Sequence, residues 1–323
     1  MRDQYLDPEL QLDLAFEADR ITNFIRQSLA GTLHRRGLVV GLSGGIDSSV
    51  CAALAVRAIG PERVLGLMMP EADSSDDSRK LADVLVQHLG IEAQLEDITA
   101  TLDGLDCYRR RDEAIRIALP EYQSDWKSKI VLSGASQGLI NHFTVVAESP
   151  DGQRFEAALP LKAYLSIVAA TNFKQRVRKT MEYFHADARN YAVVGTPNRL
   201  EYDQGFFVKN GDGAADIKPI SHLYKSQVYA MARYLELPEN ICQTTPTTDT
   251  YSLPQGQDEF YFALPYEQMD LALLYKNQSR PAADLAKRLE LDIAVAQRIY
   301  DDIEQKRKTT QYLHMSPLRL EAS

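Results

Sequence analysis

Six consecutive residues, Ser43, Gly44, Gly45, Ile46, Asp47 and Ser48, carry the most specific chemistry in the chain. They follow the apolar run Leu38-Val39-Val40-Gly41-Leu42 and precede helix-compatible residues at 50–58, which predicts a turn between a buried strand and a helix N-terminus. Backbone N–H groups point outward at such a start, and the helix dipole favours negative charge there. Gly44 and Gly45 let the main chain approach an anion, while Ser43, Ser48 and Ser49 add hydroxyls. The turn suits a phosphate, yet it matches neither Gly-x-x-x-x-Gly-Lys-Ser/Thr nor Gly-x-Gly-x-x-Gly. Asp47 would repel a phosphate unless a cation stood between them, and a divalent metal with oxygen ligands meets that need. Simple helix capping by Asp47 and Ser48 is the alternative that needs no ligand.

Other polar residues gather at predicted strand ends and helix starts. Glu201 follows the apolar stretch 191–195 and supplies a second carboxylate able to join Asp47 on one magnesium. Residues 172–179 hold four cations on one predicted helix, where Asn172 shares a face with Arg176, and Lys174 with Arg178. A guanidinium fork suits bidentate phosphate or carboxylate binding, although a solvated basic face would look the same. Lys209 and Asp212 lie in a Gly-rich loop, and Lys225 opens a helix. A lysine there opposes the helix dipole, a conflict that an anionic ligand would remove.

The elements that must position these groups alternate between strand and helix. An amphipathic helix over 14–29 precedes strands at 38–42, 64–69, 93–98 and 191–195, with a helix over 76–89 that stops at Gly90 and turns His88 inward. This order predicts an α/β fold with a doubly wound parallel sheet and ligands at the carboxyl ends of its strands, where the main chain of Met68 and Met69 can meet an adenine edge. The acidic stretch 71–77 starts the next helix, and the Tyr108-Arg109-Arg110-Arg111 run reads as a solvated face. Within the poorly patterned region 101–170, β-prone runs at 143–148 and 154–159 flank a Ser-Pro-Asp-Gly-Gln turn, which predicts a hairpin outside the main sheet. Residues 244–259 read as polar loop, and 266–274, 281–289 and 294–306 as a helical tail.

With 323 residues and 45% apolar composition, the chain suits one large domain. A net charge of −9 argues against a nucleic-acid surface. Cys51, Cys107 and Cys242 show neither disulfide nor zinc spacing, and no leader or membrane-length apolar run is present, so a cytoplasmic protein without membrane partners is expected.

The Ser-Gly-Gly-x-Asp-Ser string resembles the pyrophosphate-binding loop of the N-type ATP pyrophosphatases, which adenylylate an acid or amide and release pyrophosphate. GMP, asparagine, argininosuccinate and NAD synthetases and several tRNA-modifying enzymes share it. Asn-x-x-x-Arg-x-Arg at 172–178, Gly-Thr-x-Asn-Arg-x-Glu-Tyr at 195–202, Lys-x-Gly-Asp-Gly-x-x-Asp at 209–216, Tyr224-Lys225 and Pro-Thr-x-Asp at 246–249 appear in the order of the NAD synthetase family. The likeness covers 38–318. It implies amidation of the nicotinate carboxyl of deamido-NAD through an acyl-adenylate, in a homodimer with the dinucleotide bound across the interface.

By the same resemblance, Gly41, Leu42, Ser43, Gly44, Gly45, Ile46, Asp47 and Ser48 would hold the ATP phosphates, with Thr196, Lys225 and Thr247 completing that site. Asp47 and Glu201 would ligate Mg2+. Arg176, Lys209, Asp216 and Lys306 would contact deamido-NAD, and Asp47, Lys225 and Asp212 are the catalytic candidates. Three departures fall on the acid side: the long 101–170 region, Gln175 for a small residue and Gln305 for a histidine. A paralogue amidating another carboxylic acid is therefore the nearest alternative, and a non-catalytic ATP-binding module the next. Only residues 1–37 precede the loop strand, so free ammonia or a separate donor protein is expected to supply nitrogen.

Overall fold

In the computed structural model, residues 6–133, 142–244, 250–256, 261–262 and 264–320 are described. Their strands are β1 (Leu38–Gly41), β2 (Val64–Met68), β3 (Glu92–Leu95), β4 (Lys127–Ser133), β5 (His142–Glu148), β6 (Arg154–Ala158) and β7 (Ala192–Val194). A parallel sheet of order β3-β2-β1-β7 forms the centre, with Leu38 paired to both Val64 and Ala192, and Leu65 to Glu92. Val39 and Val40 are wholly buried, as a strand covered on both faces requires. The edge strand β3 exposes Glu92 and Leu95 and is shorter than the expected 93–98 stretch.

Before the hairpin come helices α1 (Leu14–Gln27), α2 (Ile46–Ile59), α3 (Asp76–Leu89), α4 (Thr99–Gly104) and α5 (Cys107–Arg116). After it come α6 (Leu161–Arg189), α7 (Arg199–Gln204), α8 (Lys225–Tyr234), α9 (Glu239–Cys242), α10 (Tyr266–Asn277), α11 (Ala282–Leu289) and α12 (Ile293–His314). Alternation along β1 sends Leu38 and Val40 into a core with α1, α2, α8 and the C-terminal helices, and Val39 into a second core with α4 and α6. The sheet is thus wound on both faces. None of the helices among the described residues is long and apolar enough to cross a membrane.

The hairpin forms as expected: β5 and β6 pair from Glu148 with Arg154 to Thr144 with Ala158. Strand β4, whose polar residues hid it, joins them in a separate antiparallel sheet. This sheet has its own core, where Ile130, Val145 and Ala147 meet Tyr122, Ile115 and Ile167, so it is a packed unit rather than a surface loop.

Three local expectations are corrected. His88 is exposed, because the buried positions of α3 are Ala82 and Leu85. Arg111 is buried against Asp73 at 2.6 Å and Asp112 at 2.9 Å instead of lying on a solvated face. Lys174 is buried too, bonded to Glu71 (3.0 Å), Asp73 (2.7 Å) and the Thr250 carbonyl (2.8 Å). The acidic stretch therefore neutralises buried cations, and Ser75 alone caps α3 by accepting from the Ser78 N–H.

Candidate functional site

The turn after β1 is held by its own hydroxyls. Ser48 and Ser49 donate to the Gly45 carbonyl at 3.0 and 2.8 Å, and Ser43 Oγ accepts from the Gly45 N–H at 3.3 Å. Gly45 is the N-cap of α2 and offers no side-chain cap, so the helix start keeps its capacity for an anion. Gly44 has φ +76°, and a Cβ there would lie 2.4 Å from the Ser78 carbonyl oxygen. Gly44→Ala is therefore expected to displace the loop, lowering ATP-dependent turnover by about tenfold or more and stability by about 1–3 kcal/mol, read from steady-state rates and urea unfolding. Unchanged rates would show that the loop needs no left-handed residue.

Asp47 does not cap α2. One carboxylate oxygen accepts from Asn198 Nδ2 at 3.0 Å and the other pairs with Lys225 Nζ. Glu201 Oε1 faces the same ammonium at 3.9 Å, and Glu201 Oε2 accepts from the Asn198 N–H at 3.2 Å in the capping box that starts α7. Lys225 is 2% exposed. Burial pulls its ammonium towards neutrality, but Asp47 and Glu201 outweigh that pull and raise its pKa above the ordinary value. The conflict of a lysine at a helix start is thus relieved by the protein's own anions rather than by a ligand. Asp270 on α10 contributes, accepting from the Lys225 N–H at 3.2 Å, the Ser226 N–H at 2.7 Å and the Ser226 hydroxyl at 2.6 Å.

The donor chemistry at Asp47 and Glu201 fits magnesium. Both are hard oxygen donors, here turned to the Lys225 ammonium, and magnesium on a nucleotide is usually held by one or two carboxylates plus phosphate oxygens. No cluster of three or more metal-binding side chains occurs among the described residues.

Beside this centre opens a cleft of about 240 Å³. Gly41, Leu42, Ser43, Ser48, Thr196 and Asp212 line it, among the expected residues. Met69 lines it as well, although its carbonyl already accepts from Arg178 Nε at 3.1 Å. Asp212 Oδ1 also accepts from the Val208 N–H at 2.7 Å, and burial pushes its carboxyl up.

The four side chains expected to contact the acid lie outside that cleft, although Gln175, also expected on the acid side, lines it. Arg176 is exposed, with Nε 3.3 Å from the Lys209 carbonyl. Lys209 Nζ donates to the Tyr312 carbonyl at 2.6 Å. Asp216 accepts from the Val193 N–H at 2.7 Å, and Lys306 Nζ bonds to Asp302 at 2.6 Å and to the Tyr261 carbonyl at 2.5 Å. Thr247 falls outside the described residues. Sequence reasoning gave no role to Asn198, Glu182 or Asp270; only Lys179 and Glu182, three residues apart on a helix, carried a local signal.

The family described as NAD synthase matches residues 17–116 and 109–312. A relative from Rhizobium meliloti named NH3-dependent NAD+ synthetase is 54% identical over 309 residues, 95% of this chain and 92% of the relative. Two solved structures share the fold. The NMN synthetase from Francisella tularensis has a TM-score of 0.67 and 22% identity over 96% of this chain and 100% of that one. The NH3-dependent NAD synthetase from Campylobacter jejuni has a TM-score of 0.62 and 23% identity, with the same coverage of 96% and 100%.

Proposed function

The chain belongs to the NAD synthase family, and from that premise we propose that it is a ligase that amidates deamido-NAD with ammonia and ATP, giving NAD, AMP and pyrophosphate. Lys225 carries this reading beyond kinship: its buried ammonium, set between Asp47 and Glu201 beside the uncapped start of α2, provides for a polyphosphate and its counter-ion together. The nicotinate carboxylate attacks the α-phosphorus and pyrophosphate leaves. Ammonia then attacks the acyl carbon of the adenylate, AMP departs and a proton is released.

The start of α2, with Ser43 and Ser48, orients the phosphates, and Thr196 bounds them across the cleft. Lys225 offsets charge that grows on the leaving group. Magnesium held by Asp47 and Glu201 would supply further neutralisation of the phosphate oxygens. Asp212, whose carboxyl is raised by burial, suits the group that takes the proton from the attacking ammonia.

Arg176, Lys209, Asp216 and Lys306 are assigned to deamido-NAD, outside the ATP cleft. Arg176→Ala is expected to raise the apparent KM for deamido-NAD by about tenfold while that for ATP stays within about twofold. Equal effects on both substrates would end this division. A homodimer accords with the exposed apolar side chains Leu161, Leu165 and Phe184 on α6, which also carries Arg176. The chain is read as one such domain, with the β4–β6 sheet as an insertion within 101–170. Three free, buried thiols suit the reducing cytoplasm.

A further inference from the structure

Of the groups that line the cleft, Glu182 has no part in the chemistry described above. Its side chain is 9% exposed, and Oε2 accepts from Lys179 Nζ at 2.6 Å, a lysine itself 5% exposed. Its second oxygen has no hydrogen-bond partner among the described residues. That oxygen faces the last residue of β1, for a methyl group added at Gly41 would lie 2.9 Å from Glu182 Oε1 and 3.4 Å from the terminal methyl of Met69. Glycine at 41 thus brings the main chain, the carboxylate and Met69 together.

This spot has a defined place along a nucleotide. β2 ends at Met68, with Met69 next to it, on one side, where the ATP reading puts the base, and Ser43 to Ser48 form the turn it gives to the phosphates on the other. A sugar joins base to phosphates, and its hydroxyls are donors that seek an acceptor. We propose that Glu182 accepts a hydrogen bond from a ribose hydroxyl of the bound nucleotide, making the site selective for ribonucleotides; this rests on the ATP reading above. Lys179 keeps the carboxylate oriented with one oxygen turned to the cleft. A deoxynucleotide would fill the same space and leave a carboxylate oxygen without its partner, which disfavours the analogue.

The test compares kcat/KM for ATP, 2′-deoxyATP and 3′-deoxyATP, with pyrophosphate release as readout, in the wild-type chain, in Glu182→Ala and in the double variant Lys179→Met with Glu182→Leu. The double variant removes both charges, so a buried ammonium is not stranded. The wild type is expected to prefer ATP over at least one analogue by roughly tenfold to a hundredfold. Both variants should bring the ratios to within about threefold of one, by losing rate on ATP rather than gaining it on the analogue. Equal use of all three nucleotides by the wild type overturns the proposal, as does discrimination that survives in a folded variant lacking Glu182. If neither variant folds, the wild-type ratios decide alone. Absence of pyrophosphate release from ATP would overturn the functional reading and this inference with it, whereas normal ATP turnover with unchanged ratios would overturn the inference only.

Discussion

Asp47→Asn is expected to lower NAD formation by about a hundredfold or more at saturating ATP, deamido-NAD and ammonia. The substitution keeps shape and the capacity to meet Asn198, but removes the charge opposite Lys225 and the oxygen donor assigned to magnesium. Some stability is lost as well, because breaking a buried ion pair typically costs about 3–5 kcal/mol and here leaves Lys225 with Glu201 at 3.9 Å. The pair persists at neutral pH. The pKa of Lys225 is raised above its unfolded value of 10.5, so the stabilisation is fully present below that value and is lost only as pH rises through the higher folded pKa. Combining Asp47→Asn with Lys225→Met removes both charges and should recover much of the stability but none of the turnover. Near-normal turnover of the single variant, with unaltered magnesium dependence, would rule out the role of Asp47.

Asp270→Ala should produce the second large loss. The carboxylate is wholly buried and receives two N–H groups and a hydroxyl at the start of α8, so its removal strands three donors. A decrease of about 3 kcal/mol or more in unfolding free energy is expected, with reduced turnover because the same turn of helix aims Lys225. Burial pushes the Asp270 carboxyl up to about 7 from an ordinary 3.8, against the pull of its hydrogen bonds. Between those values the folded state holds a proton that the unfolded state releases, so this group makes stability fall as pH rises from about 4 to about 7 and is indifferent above. Urea midpoints of wild type and variant across that range test the sign. A variant with the same midpoint as wild type at every pH would show that Asp270 neither caps α8 nor titrates in the folded protein.

The parts legible in the sequence were local. Ser43 to Ser48 declare a strand, a turn and a helix start within a dozen residues, and the turn chemistry at 149–153 declares the hairpin, so both were found. Strand β4 is hidden in the sequence because Lys127, Ser128 and Lys129 mask its apolar Ile130 and Val131. Long-range charge pairing was hidden for a different reason. Lys174 resembles any other cation of the 172–179 run, and its partner Glu71 stands 103 positions away. Lys225 is a visible misfit at a helix start, yet the anion that answers it is Asp47, 178 positions distant. Asp270 sits in a helical tail whose charges form no pattern, and only the packed fold reveals that it is buried.

The most direct measurement quantifies AMP, pyrophosphate and amide together when the chain is supplied with ATP, magnesium, ammonia and either deamido-NAD or one of a panel of other carboxylic acids. The account predicts equimolar AMP, pyrophosphate and NAD with deamido-NAD, and at most trace amide from the other acids. Preferential amidation of a different acid, or binding of ATP with no pyrophosphate released in the presence of deamido-NAD and ammonia, would contradict it.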